Sequence, residues 1–161
     1  MTTFIEYFSQ LFNGNTLAVL GAALAVVLPG IGSAKGVNLV ARATAGLISE
    51  DPNKYGKSML LQALPMTQGI YGMVTAFLIM IFGNVMGTDL TVAQGAYYLF
   101  AAMPIAFGGL YSAIKQGEVA AAGISVLAKR PDAVGKAVIS ASFVELYAIL
   151  GLLISLLLIL M

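Results

Sequence analysis

The 161-residue chain contains no cysteine, no histidine and no tryptophan. Without cysteine it forms no disulfide and offers no thiolate ligand, and without histidine it can build neither an imidazole zinc site nor an imidazole proton relay. Charge is scarce as well, at 9% of residues, where an ordinary soluble domain carries about 25%. Eight basic against seven acidic side chains leave a net charge of +1, so there is no basic footprint for a polyanion and nucleic acid is excluded as a partner. Nucleotide-binding loops are missing too. PGIGSAKGV superficially resembles a phosphate loop, but Ala34 and Gly36 stand where that motif needs Gly before and Ser or Thr after the lysine. GIGSAKG places its last glycine one residue too late for a dinucleotide fingerprint. The opening MTTFIEYFSQLFNGN has no Lys or Arg ahead of its apolar residues, which argues against a cleaved secretory signal.

What the chain does have is apolar length, with 60% hydrophobic residues. No charge lies between Glu6 and Lys35, between Lys57 and Asp89, or between Asp89 and Lys115, and after Lys136 only Glu145 interrupts the run to Met161. A membrane-spanning helix needs about 20 apolar residues, so the expected fold class is an all-α membrane protein with four transmembrane helices. All basic residues fall in two windows, Lys35 to Lys57 and Lys115 to Lys136. Because Lys and Arg accumulate on cytoplasmic loops, the turns SEDPNKYGK and AKRPDAVGK are expected to face the cytoplasm. Both termini of this multi-pass cell-membrane protein then lie on the outer face.

The two turns also match each other. With a shift of 79 residues Pro52 meets Pro131, Gly56 meets Gly135 and Lys57 meets Lys136. Farther out, Gly30 meets Gly109, Ser33-Ala34 meets Ser112-Ala113, Val40-Ala41 meets Val119-Ala120, and Gly72 meets Gly151. One helical hairpin has been duplicated in tandem, giving a first hairpin over 1–82 and a second over 83–161 within one integral-membrane unit. Each copy crosses out-to-in and then in-to-out, so the repeats are parallel. The first helix of each is rich in small residues, with Gly32 and Gly36 at GxxxG spacing, whereas second helices such as LLISLLLIL are bulky. Small residues let membrane helices approach closely. A narrow helix beside a broad one makes a wedge, and wedges side by side make a ring; alternatively, these glycines only pack the four helices of one chain.

Glu145 is the one charge in the last helix, where a carboxylate costs about 2.5–3.5 kcal/mol on insertion scales and is normally functional. Its repeat-mate is Met66, so two hairpins share a single carboxylate. Next to Met66, the residues Leu64, Thr67, Gln68 and Tyr71 recur at i, i+3, i+4 and i+7 and so share a helix face. Pro65 removes the usual partner of the Leu61 carbonyl and so offers backbone oxygen at a kink. A third helix supplies Gln116. Measured from the turns at about 1.5 Å per residue, Thr67, Gln68, Gln116 and Glu145 all lie roughly 21–24 Å deep, at one level. Taken singly, a Gln or Thr there reads as interhelical glue and Tyr71 as packing or an interfacial anchor; the shared level groups them with Glu145. A carboxylate, a hydroxyl, two amides and a carbonyl form a hard oxygen cage with one negative charge, which suits a dehydrated monovalent cation, with Na+ the natural candidate. Lys35, Lys115 and Glu118 lie near the same level. Either the helices project beyond the bilayer or these charges avoid lipid, and Lys115 and Glu118 are spaced to pair across a helix turn.

The duplicated hairpins, LPMTQGIYG, the SAxKxG and AAAG stretches and VELYAILG together resemble the V-type ATPase proteolipid family, the rotor-ring subunit, over essentially the whole chain. The likeness is closest to its bacterial sodium-translocating branch. The resemblance implies that Na+ is the transported ion, held by Glu145, Thr67, Gln68, Gln116 and the Leu64 backbone carbonyl, with Tyr71 hydrogen-bonded to Glu145. For the carbonyl, it points to Leu64 where the proline argument points to Leu61. It further implies a homo-oligomeric ring in membrane lipid, a stator membrane subunit with an essential arginine, and central-stalk subunits at the cytoplasmic loops. The chain itself would be no enzyme; rotation would be driven by ATP hydrolysis elsewhere. A proton-translocating ring of the same family would need none of Thr67, Gln68 or Gln116. A small four-helix drug exporter would need aromatics around its carboxylate and would lack the repeat. A purely structural four-span protein would have no use for a level oxygen cage.

Overall fold

The computed structural model describes residues 3–161 and, within the first helix, omits the side chains at 5, 7, 9 and 10. The first two positions of the 1–82 hairpin therefore lie outside the described residues. The described residues form helices α1 (Phe4–Leu11), α2 (Gly14–Glu50), α3 (Tyr55–Ala63), α4 (Thr67–Phe82), α5 (Val92–Lys129) and α6 (Val134–Leu160), with short 3-10 turns before α3, α4 and α6. Helices α3 and α4 run on through Leu64–Met66 as one span. Four segments, 14–50, 52–82, 92–129 and 131–160, are long and apolar enough to cross a membrane.

Local chemistry sets the boundaries. Asn13 caps α2 by accepting from the Thr16 N–H at 2.8 Å, and Thr91 and Gln94 form a reciprocal capping box at the start of α5. At the far ends, Pro52 and Pro131 force the preceding residue out of the helical region. Asp51 sits at φ −141° and Arg130 at φ −140°, so the duplicated turn is duplicated in its backbone as well. Lys54 Nζ donates to the Ala128 carbonyl at 3.0 Å, where the C-terminus of α5 favours a cation, and this places both basic turns at the same end. At the opposite end the Asn15 amide donates to the carbonyls of Val85 (2.6 Å) and Thr88 (2.8 Å) and its oxygen accepts from Leu90 N–H (2.8 Å). This pins the α4–α5 loop, in which Asn84 takes φ 45°, the left-handed region Asn tolerates.

Helices α2 and α5 lie together along their length, α4 flanks α2, and α6 flanks α5. In their most apolar stretches 39% of residues in α2 and α5 are buried, against 28% in the 52–82 span and 17% in the 131–160 span, so the small-residue helices are the more enclosed. The Gly32 and Gly36 face, however, is used within the chain. A Cβ on Gly32 would stand 2.5 Å from the Leu110 carbonyl oxygen, and one on Gly36 would stand 2.5 Å from that of Ala113. These glycines close α2 onto α5, so the alternative role, packing one chain, is the one they fill. Inside each hairpin the packing repeats: Gly72 lies against Ala25, and Gly151 lies against Pro104, 79 residues on from Ala25.

Both inner helices are longer than a bilayer. At about 1.5 Å per residue α2 and α5 extend roughly 55 Å, against a hydrocarbon core of about 30 Å. Counted from their loop ends, about 30 Å of each is used up near Lys35 and Lys115. Each inner helix is thus long enough for its basic end to project beyond an apolar band. Lys115 and Glu118 do pair, at 2.9 Å, and both are exposed.

Candidate functional site

The site lies where α4, α5 and α6 meet. Pro65 cannot donate to the carbonyl one turn earlier, and the chain answers with a tighter turn over Leu64–Met66. That turn brings Thr67 back onto Leu64: its backbone N–H and its Oγ1 (3.2 Å) both donate to the Leu64 carbonyl. Thr67 Oγ1 also lies 3.4 Å from Gln68 Oε1. The carbonyl gathered with the polar groups is therefore that of Leu64, not that of the fully buried Leu61.

From there the polar groups run inward across three helices. Gln68 and Gln116 are both fully buried. Gln68 Nε2 donates to Gln116 Oε1 at 2.5 Å and to Ser112 Oγ at 3.3 Å. Gln116 Nε2 donates to Glu145 Oε2 at 3.3 Å, and the Tyr71 hydroxyl donates to Glu145 Oε1 at 2.7 Å. All six residues named from the sequence, Leu64, Thr67, Gln68, Tyr71, Gln116 and Glu145, thus belong to one connected network. Glu145 itself is half-buried.

Ser112 is a further member. It donates to the Val144 carbonyl at 2.9 Å while accepting from Gln68, fixing α6 against the glutamines. Its repeat-mate Ser33 accepts from the Gly69 N–H at 3.0 Å and donates to the Met66 carbonyl at 3.5 Å. The serines are visible in the sequence only as a repeated Ser-Ala pair; their burial at this level, opposite the second helix of each hairpin, could have marked them.

The electrostatics are unusual for a membrane-level carboxylate. Ion pairs among the described residues are Asp51–Lys54, Lys115–Glu118 and Arg130–Asp132, and none involves Glu145. Both of its oxygens are met by neutral donors only. An unneutralised carboxylate in such surroundings is costly, and the network meets it with the Tyr71 hydroxyl and the Gln116 amide. No group of three or more His, Cys, Asp or Glu able to hold a metal occurs among the described residues, so a cation here would rest on one carboxylate plus amide, hydroxyl and carbonyl oxygens. Half a turn of a side-chain amide exchanges its N–H2 for its oxygen, so both glutamines can offer an acceptor to an ion between them and Glu145.

Comparison with known proteins agrees with this architecture. The family model for the ATP synthase C subunit matches twice, over residues 20–79 and 99–158, and the two matches are offset by the same 79 residues as the repeat. The chain is 50% identical over 156 residues to the V-type sodium ATPase subunit K of Enterococcus hirae, covering 97% of this chain and 98% of that protein. It is 40% identical over 142 residues to the A-type ATP synthase subunit K of Methanocaldococcus jannaschii, covering 88% of this chain and 61% of that one. To the human 16 kDa proteolipid of the V-type proton ATPase it is 27% identical over 141 residues, covering 88% and 89%. The chain is a multi-pass membrane protein that belongs to the ATP synthase C-subunit family, in the duplicated form of the V-type proteolipids.

Proposed function

We propose that this chain is the rotor-ring subunit of a V-type rotary ATPase and carries Na+ across the membrane at Glu145. The observation that carries the reading is a half-buried carboxylate with no cationic partner among the described residues, joined through Gln116 and Gln68 to Thr67 and the Leu64 carbonyl. In this reading Glu145 supplies the charge, while Thr67, Gln68, Gln116 and the Leu64 carbonyl replace the hydration shell of the ion. Tyr71 is no ligand; its hydroxyl holds one carboxylate oxygen and orients the other. A filled site is neutral and can pass lipid, whereas an empty one is charged and stalls there.

The two hairpins, 1–82 and 83–161, act as one unit. The basic turns face the cytoplasm and the termini the outer side. Copies of the chain form the ring, a stator subunit's arginine helps empty each site, and central-stalk subunits grip the basic turns. Moving one charge against 100 mV costs about 2.3 kcal/mol, and this chain is not catalytic, so ATP hydrolysis by the partner subunits provides that energy. The similarity to the Enterococcus hirae sodium ATPase subunit supports Na+ over H+.

Radioactive Na+ binding to purified rings at several pH values tests this reading. Saturable binding of one ion per chain is expected, with the half-saturating concentration rising as pH falls because protons compete for the same carboxylate. Proton-only transport with no saturable Na+ binding would overturn the sodium assignment.

A further inference from the structure

Helix α1 has no part in the ion network and joins none of the close helix pairings that build the bundle. Its sequence is nonetheless patterned. At about 100° per residue, Phe4, Phe8, Leu11 and Phe12 fall on one face and Glu6 falls opposite. Among the described residues nothing covers that face, since the four side chains are 82, 54, 65 and 50% exposed. The rings follow one another as a strip, with centroids 6.2 Å apart between Phe4 and Phe8 and 4.6 Å apart between Phe8 and Phe12. On the other side Glu6 closes the first turn, its carboxylate accepting from the Thr3 N–H at 2.7 Å.

The level of α1 is fixed by its joint with α2. The Thr16 hydroxyl donates to the Leu11 carbonyl at 2.7 Å, which ties the end of α1 to the first turn of α2. Just past the joint, Gly14 packs against Leu90 and Thr91, and Asn15 bonds Val85, Thr88 and Leu90. All of these belong to the connection between the 52–82 and 92–129 spans. Tyr97 of α5 donates to the Leu158 carbonyl at 2.6 Å, so α6 ends here as well. Helix α1 therefore leaves the bundle where all four spans end, at the membrane boundary opposite the basic turns. Phe82 and Tyr97 are exposed near the same boundary, where aromatic side chains collect between lipid and water.

We propose that α1 lies in the plane of this lipid–water interface, with Phe4, Phe8, Leu11 and Phe12 among the upper acyl chains and Glu6 turned to water. A short helix with one apolar and one polar face is buried by lipid in this orientation when it is held at a membrane boundary. Continuity favours lipid as the cover. The strip leads directly into α2, whose exposed Val19 and Leu20 carry the apolar surface on into the membrane. The attraction is apolar and not ionic, because the sequence has no Lys or Arg ahead of Lys35 to meet a lipid phosphate. Held in this way, α1 fixes the depth of α2 and with it the level of the bundle. This placement requires the four spans but neither the ion nor the ring.

The chain has no tryptophan, so a single one introduced on α1 reports its own surroundings. Phe8→Trp and Leu11→Trp, each in the whole chain reconstituted into phosphatidylcholine vesicles, should emit to the blue of tryptophan in water and resist quenching by iodide. Lipids brominated near the carbonyl end of the acyl chain should quench both more strongly than lipids brominated near its tail. Adding phosphatidylglycerol or raising the salt concentration should leave the spectra unchanged. Emission as in water, open to iodide, would put α1 off the membrane and overturn the proposal. Blue-shifted emission that no brominated lipid quenches would overturn it too, since protein, such as a second copy, would then cover the strip. Stronger quenching from the tail position would replace an interfacial helix with a deeply inserted one, and a salt-dependent signal would replace apolar contact with charge; either result contradicts the proposal.

Discussion

The two hairpins share turns, serines and glycine contacts, yet only one set of repeat positions carries the polar network around Glu145. Within the chain Thr67 of α4 meets Gln68, Gln68 meets Gln116 of α5, and Gln116 meets Glu145 of α6. The image positions, 79 residues away, hold Leu146, Tyr147, Val37 and Met66. Backbone architecture alone therefore does not make the network, since corresponding helices at the same depth carry the Glu145 network in one case and no carboxylate, amide or hydroxyl-bearing Thr in the other. What survives in both halves is what the fold requires: Ser33 and Ser112 bonding the neighbouring helix, Gly72 and Gly151 admitting the first helix of their hairpin, and prolines at the turns.

The contrast is broken most severely at the carboxylate. Glu145→Gln is expected to abolish Na+ binding to purified rings, whereas Met66→Gln, at its image, should change affinity by no more than about twofold, the range of substitutions outside a specific network. Loss of binding from Met66→Gln would show that both halves contribute to the ion. Next in size is Gln116→Leu, which leaves Gln68 and Glu145 each short of a partner. Unsatisfied buried polar groups cost about 1–3 kcal/mol, so Na+ binding should weaken at least tenfold. Binding as tight as in the wild type would reduce Gln116 to helix glue. Tyr71→Phe removes a donor to Glu145 but no ligand, and a loss of about 3- to 10-fold, close to one hydrogen bond, is expected in the same assay.

The smallest effects concern packing. A Cβ on Gly151 would lie 2.7 Å from the Pro104 carbonyl oxygen, so Gly151→Ala should lower ring stability by about 1–3 kcal/mol, as overpacking does. Gly30 has open space at that position, and Gly30→Ala should be neutral or stabilising by about 0.5–1 kcal/mol. Thermal denaturation of the two variants checks the pair; equal losses would mean that the glycine contacts do not distinguish them.

Much of this is legible in the sequence because it is written in periodicity and charge. Charge-free runs mark the four spans, the shift of 79 marks the hairpins, and distance from the prolines puts Thr67, Gln68, Gln116 and Glu145 on one level. Less legible is anything that depends on which helix faces which. Gly32 and Gly36 have the spacing of a close approach, but spacing does not name the partner, and the partner is α5 of the same chain. In an undisturbed α-helix Pro65 would free the Leu61 carbonyl, which is the consequence expected from sequence. The helix instead tightens over Leu64–Met66 and gathers the Leu64 carbonyl. Asn15, which binds three backbone groups across the α4–α5 loop, carries no signal at all, since a lone Asn near a helix start reads as a cap.

The claim on which the rest depends is that Glu145 binds Na+ in place of a proton. A hydrophobic carbodiimide reacts with a protonated carboxyl in apolar surroundings, so labelling of purified rings followed by peptide mapping measures it directly. Modification is expected at Glu145 and at no other acid, and added Na+ should suppress it, with more Na+ required as pH falls. Labelling of Glu145 that is equal with and without Na+ would contradict the account.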